Sequence, residues 1–229
     1  MNEHTVSAFD DELAALRANI LELGSRASTA IKCAIDALDK RDEKRARQVV
    51  VDDRAIDALE AATEAAAVNI IAIRAPMADD LRTVVAAIKI SSLLERTADY
   101  AKNIARRVPD VSAKFPKDLW SIVGEMNEHA SAMLVDVVRA YAENDSELAQ
   151  QVIERDDAVD ELHDELTDKL IAFMIAKPHK ISHAAQLLFV GKHLERIGDQ
   201  ATNIGEMVTY VVTGVQPKPR EHANELIAA

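Results

Sequence analysis

The chain has 229 residues, with 27 basic and 39 acidic side chains and a formal net charge of −12. That balance argues against a protein that holds nucleic acid or anionic lipid through bulk charge. With six glycines and six prolines there is no Gly-rich phosphate loop, dinucleotide fingerprint or kinase-type lid, so a non-enzymatic chain that does not hydrolyse ATP is expected. Ala, Leu, Ile, Glu and Asp dominate and aromatic residues are few, which is the composition of helical bundles. Cys33 is the single cysteine and cannot form a bridge within the chain. The opening Met1-Asn2-Glu3-His4-Thr5-Val6-Ser7 lacks a basic region followed by an apolar core. No apolar run approaches the roughly 18 residues of a membrane span, so a soluble cytoplasmic protein with no membrane insertion is expected.

The apolar positions predict six long helices. Phe9, Leu13, Leu16, Ile20, Leu23, Ala27, Ile31, Ile35 and Leu38 recur in steps of three or four and read as the first helix. Asp39-Lys40-Arg41-Asp42 interrupts it. A second stripe runs through Val49, Ile56, Leu59, Ala66, Ile70 and Ile73 to the break at Arg74-Ala75-Pro76. The third helix runs from about Asp79 to about Val108, and the segment from Pro109 to Pro116 reads as a linker. Beyond it the plan recurs. Leu119, Val123, Met126, Ala130, Met133, Val137 and Tyr141 mark the fourth helix, with Asn144-Asp145-Ser146 as a cap signal before the fifth. That helix carries Val152, Val159, Leu162, Leu166, Leu170 and Phe173 and stops at Lys177-Pro178. The sixth shows the most regular stripe, Leu187, Val190, Leu194, Ile197, Ala201, Ile204, Val208 and Val211, with the spacing of long bundled helices. Residues after Gly214 read as a tail.

The two halves repeat. Leu94-Glu95-Arg96-Thr97-Ala98-Asp99-Tyr100-Ala101-Lys102-Asn103-Ile104 aligns with Leu194-Glu195-Arg196-Ile197-Gly198-Asp199-Gln200-Ala201-Thr202-Asn203-Ile204, with seven of eleven positions identical. Upstream, Asp53-Arg54-Ala55-Ile56-Asp57 matches Asp156-Asp157-Ala158-Val159-Asp160. The fold class expected is therefore all-α, a tandem pair of three-helix bundles over residues 6–108 and 117–212, with 213–229 as the tail. Residues four apart share a helix face, so Glu95, Asp99 and Asn103 form one polar stripe and Glu195, Asp199 and Asn203 another. Glu60 and Glu64 extend the Asp53/Asp57 pair, and His163 extends the Asp156/Asp160 pair. Like charges at this spacing repel by about a few tenths of a kcal/mol, and more when a second acidic helix lies alongside. The alternative is a solvated face whose acids pair with Arg54, Arg96, Lys102 and Arg196 at little energetic consequence. Duplication favours the cation-binding reading, with oxygen ligands suited to Mg²⁺, Ca²⁺ or Mn²⁺ and to iron.

On the twice-present LER-x-x-D-x-A-x-N-I signature, on Arg74-Ala75-Pro76-Met77-Ala78-Asp79-Asp80-Leu81-Arg82 and on Phe9-Asp10-Asp11-Glu12-Leu13, the chain closely resembles the PhoU family of phosphate-transport accessory regulators. The resemblance runs from about Val6 to Val212. It implies homodimerisation and divalent or multinuclear metal sites, with iron, manganese, magnesium or zinc as the ion. The implied metal ligands are Asp53, Asp57, Glu95 and Asp99 in one half and Asp156, Asp160, Glu195 and Asp199 in the other. It also implies a regulator acting between a phosphate-specific ABC transporter, through its ATPase subunit, and a sensor histidine kinase, restraining both when phosphate is plentiful. In this sequence Thr97-Ala98 replaces the family's usual Ile-Gly, and Gln200 stands where many members have His. The second departure predicts a weaker second site.

Two other readings are a ferritin-like di-iron protein and a metal-free helical adaptor. The first needs a carboxylate-x-x-His step on two helices. Asp160-Glu161-Leu162-His163 supplies one, but the equivalent place in the second helix has Glu60. His179 and His183 have no further ligand pattern around them and read as a solvated helix turn. Met126, Met133 and Met207 read as core filling.

Overall fold

The computed structural model describes residues 3–111 and 115–215. These form seven α-helices: α1 (Glu3–Lys40), α2 (Glu43–Arg74), α3 (Ala78–Arg106), α4 (Lys117–Glu143), α5 (Ser146–Glu154), α6 (Asp156–Ala176) and α7 (Ile181–Thr213), with a 3₁₀ turn at Pro178–Lys180. Among the described residues there is no strand. α1, α2 and α3 pack together as one three-helix bundle, and α4, the α5–α6 pair and α7 as the other. At 1.5 Å per residue the 38 residues of α1 span about 57 Å. The expected tandem of bundles is the observed architecture. Residues 112–114 of the linker, and the tail beyond residue 215, lie outside the described residues.

Corresponding turns use corresponding chemistry. Asp42 caps α2 by accepting from the Arg45 N–H, and Asp145 caps α5 by accepting from both the Glu147 and Leu148 N–H groups. The residue before each cap takes the left-handed conformation, at φ 53 for both Arg41 and Asn144. α2 ends at Ala75, also left-handed, just ahead of Pro76.

Two expectations need correction. The fifth helix is not continuous. It breaks at Arg155, between α5 and α6, where the guanidinium donates to Asp136 of α4 at 2.7 Å. The stripe on α2 is also differently phased. Ala66 and Ile73, expected inside, are exposed, and the buried set is Ala46, Val49, Asp53, Ile56, Thr63, Ala67 and Ile70. Apart from the seven-residue step from Ile56 to Thr63, this face keeps steps of three or four, and it does so only because Asp53 and Thr63 occupy inward places.

The apolar core runs without interruption through both bundles. α3 and α7 form the seam and run antiparallel: the Arg107 side chain donates to Gln186 Oε1 at 2.6 Å and lies 4.4 Å from the centre of the Phe189 ring. At the other end Gly214 stands against Arg82. Tyr100 and His193 stack across the seam with ring centres 5.8 Å apart. α1 packs on α4 beside it, and Arg17 donates to the Tyr141 carbonyl at 3.2 Å. Met126 and Met133 are fully buried, as expected of core residues.

Candidate functional site: two acidic faces

In the first half the site forms where α2 lies on α3. Ser91, Glu95, Ala98, Lys102 and Ala105 recur in steps of three and four along α3, and Asp53, Ile56 and Thr63 are the inward residues of α2. Asp53 is buried at 5 % exposure. Asp57, one turn on, is exposed at the rim, and Glu95 and Asp99 are half-buried. The Glu95 carboxyl is pushed up to about 7 by burial and then by the negative charges of Asp99, Asp57, Glu60 and Asp53, so these carboxyls lie close enough to feel one another's charge. Glu60 is raised by burial, then by Glu64 and Asp57.

One cation sits inside this cluster. The Lys102 ammonium donates to Asp53 Oδ2 at 2.5 Å and pairs with Asp99. Burial alone would lower the Lys102 ammonium, but its hydrogen bonds to Asp53 and Asp99 outweigh burial and hold it above its ordinary value. Asp53 is raised because burial exceeds the opposing effect of Lys102, with Asp57 and Asp99 adding to the rise. The sequence grouped Lys102 with surface partners such as Arg54 and Arg96. Those two are exposed, whereas the Lys102 side chain is 15 % exposed.

The second half repeats the quartet with different surroundings. Asp156 is buried at 4 % exposure, Asp160 is exposed, and Glu195 and Asp199 are half-buried. Asp160 is pushed up to about 6 by burial and then by Asp156, Glu195, Asp199 and Asp157. Asp199 is raised by burial, Glu195 and Asp156, against Arg196 and Lys192. His163, the register equivalent of Glu60, is lowered by burial against the pull of Glu195. Lys192 donates to Glu195 at 2.6 Å from a side chain 42 % exposed.

α7 carries Gly191, Gly198 and Gly205, seven residues apart, on the face that meets α5 and α6. A methyl group on Gly198 would stand 2.9 Å from Asp156 Oδ1, and one on Gly205 would stand 3.1 Å from the Ala149 carbonyl. α3 has Ser91, Ala98 and Ala105 at these places. The glycine spacing was the signal in the sequence for this closer approach, and the periodicity reading passed over it.

Other candidates fall elsewhere. Asn203 stands one turn beyond Asp199 on α7. It lines a cavity of about 450 Å³ between the halves with Glu60, Glu64, Lys89, Arg96 and Glu206. Asn103 accepts from Arg106 at 3.3 Å. His183 Nδ1 lies 2.5 Å from the Asp110 carbonyl. Gln200 is buried, and its Oε1 makes no hydrogen bond to a described residue.

Carboxylates that raise one another's proton affinity suit a hard divalent cation, which replaces the shared protons and offsets the repulsion. Of the two quartets the second is the better suited to this chemistry. Its Asp156 carboxylate sits in space that only a glycine leaves open, and Glu195 Oε2 is buried without a hydrogen bond to a described residue. In the first quartet Lys102 already bridges Asp53 and Asp99. Among the described residues no three histidine, cysteine or carboxylate side chains converge at metal-holding distance.

The PhoU domain family model matches residues 20–108 and again residues 123–208. The chain is 44 % identical to a "Phosphate-specific transport system accessory protein PhoU homolog" of Zymomonas mobilis subsp. mobilis, over 99 % of this chain and 95 % of that one. It is 40 % identical to a protein of the same description from Caulobacter vibrioides, over 93 % of this chain and 94 % of that one. The crystal structure of PhoU from Pseudomonas aeruginosa superposes with a TM-score of 0.87 at 31 % identity, covering 90 % of this chain and all of that one. The chain, with its two helical repeats and their paired acidic faces, belongs to the PhoU family.

Proposed function

We propose that this chain is a non-enzymatic accessory regulator of phosphate-specific transport. It restrains phosphate uptake and phosphate-starvation signalling when phosphate is plentiful, working as a cytoplasmic homodimer between the transporter's ATPase subunit and a sensor histidine kinase. The observation that carries the reading is the match to PhoU proteins along almost the whole chain, through both repeats. The physical character of the molecule is consistent with it. An acidic bundle without a Gly-rich nucleotide loop acts through partners that have one, and long helices with mixed outer faces suit docking onto other helices. No helix among the described residues is long and apolar enough to cross a membrane. On this reading Asp156, Asp160, Glu195 and Asp199 hold a divalent cation, whose charge reverses the sign of that face and so alters what docks there.

The test is a clean deletion in the host grown in phosphate-rich medium. Starvation-gene expression and phosphate uptake should both rise, and both should return to the parental level when the intact chain is restored. Unchanged expression and uptake in the deletion strain would refute the regulatory reading.

A further inference from the structure

The two acidic faces obtain their positive charge from different sources. On the α2–α3 face Lys102 reaches Asp53 and Asp99 from within the cluster, with only 15 % of its side chain exposed. A divalent ion entering there would have to expel an ammonium that is covalently held beside its partners and has little route to solvent. On the α6–α7 face the same register position is Thr202, fully buried, whose Oγ1 makes no hydrogen bond to a described residue. The nearby cations are Lys192 and Arg196, 42 % and 50 % exposed, which approach from the outside and reach Glu195 and, for Arg196, Asp199. Both can swing away at little cost. A second difference points the same way. Gly198 lets Asp156 sit against the α7 backbone, and Ala98 carries the methyl group that this approach forbids.

We propose that Lys102 is a built-in cation that takes the place of the divalent ion on the α2–α3 face, so that this chain loads divalent cations on its α6–α7 face alone. The proposal rests on the metal-binding reading above and assigns it to one half. It also reverses the weighting that Gln200 implied, because the half with the departure at Gln200 is the one left open for an ion.

The experiment is a titration of metal-stripped full-length protein with Mn²⁺ at neutral pH, following free Mn²⁺ by electron paramagnetic resonance. The Mn²⁺ capacity of the parent should vanish in Asp156→Asn/Asp199→Asn and persist in Asp53→Asn/Asp99→Asn. Lys102→Thr should double it, and Thr202→Lys should abolish it while keeping the helical circular dichroism of the parent. Capacity that survives Asp156→Asn/Asp199→Asn, or that stays unchanged in Lys102→Thr, overturns the proposal. A second measurement separates its failure from that of the metal reading. In chelator, Lys102→Thr should lower the melting temperature, and adding Asp53→Asn should restore most of the loss. Restoration with no Mn²⁺ bound by any variant would remove the metal reading and keep Lys102 as the internal cation. Absence of restoration would remove Lys102 from that role.

Discussion

The first and second halves use the same acids at the same register but balance them differently. In the first, α2 is one unbroken helix and a lysine from α3 is folded into the acidic cluster. In the second, the α5–α6 pair is broken at Arg155 and approaches the glycines of α7 closely, with Thr202 in the lysine's place. Duplication preserved the carboxylates, while the residues around them decide whether a half neutralises itself. A motif comparison scores the halves as equivalent, and their electrostatics are not.

The largest expected effect is at Lys102. Lys102→Met leaves the Asp53 carboxylate buried with its ammonium partner removed, and should destabilise the metal-free protein by about 3 kcal/mol in urea unfolding. The matched change Thr202→Val removes a hydroxyl that makes no hydrogen bond to a described residue and should cost less than about 1 kcal/mol. Equal losses in the two variants would erase the difference between the halves. Next in size is the helix approach. Gly198→Val drives a branched side chain into Asp156 and Val159 and should cost about 2–3 kcal/mol. Ala98→Gly in the first half should cost only about 1 kcal/mol, mainly through helix propensity.

The pH dependence follows from the raised acids. In metal-free protein the native state keeps protons on Glu95, at about 7, that the unfolded chain loses near the ordinary value of 4.5. At this group the native state therefore binds more protons across that interval, and, against the opposite contribution of half-buried His193, held at about 4, the contribution of Glu95 to stability falls as pH rises through it. Asp160, at about 6 against an ordinary 3.8, acts in the same direction in the second half. The Glu95 contribution, discounted for its partial exposure, is on the order of 2 kcal/mol. Measured as the urea midpoint against pH, Glu95→Gln should flatten the part that extends toward neutrality, and Asp160→Asn the part that ends nearer pH 6. Burial holds His193 at about 4 and lowers His163, and both act in the opposite direction over this interval, so the clusters are read from the variants. Glu95→Gln and Asp160→Asn profiles identical to the parent's would contradict their assembly.

The smallest difference lies at the turns. Arg41 is a long side chain in the left-handed region at φ 53, where the second half has Asn144 at the same φ. Arg41→Gly should raise stability by about 0.5–1 kcal/mol in thermal unfolding, and Asn144→Gly should change it less.

The helices, their caps and the duplicated motifs were legible because each is a local pattern. Asp145 stands in front of its helix whatever packs on it later. The spacing of the eight carboxylates could be read for the same reason, since the i, i+4 steps and the repeat lie within single segments. Burial was not legible. Asp53 and Thr63 occupy inward places on α2, so a search for apolar periodicity shifted onto Ala66 and Ile73, which are exposed. Lys102 and Arg96 are both basic residues of one motif, and only the position of α2 makes one an internal ion and the other a surface one. Asn203 faces the other half because α3 and α7 cross the molecule together, a relation that no sequence window contains.

That shared seam bears on how such a chain can arise. The core passes through α3 and α7 without a break, so a half released alone would uncover the α3 face that carries Tyr100 and Arg107, or the α7 face that carries Gln186, Phe189 and His193. A single-repeat ancestor would have had to cover that stripe with a second copy of itself, in the antiparallel arrangement that α3 and α7 now keep within one polypeptide. Joining the two copies freed each from coding for both sides of its own interface. Only after that could one copy take Lys102 and Ala98, and the other keep Thr202 and Gly198, without imposing the choice on its partner.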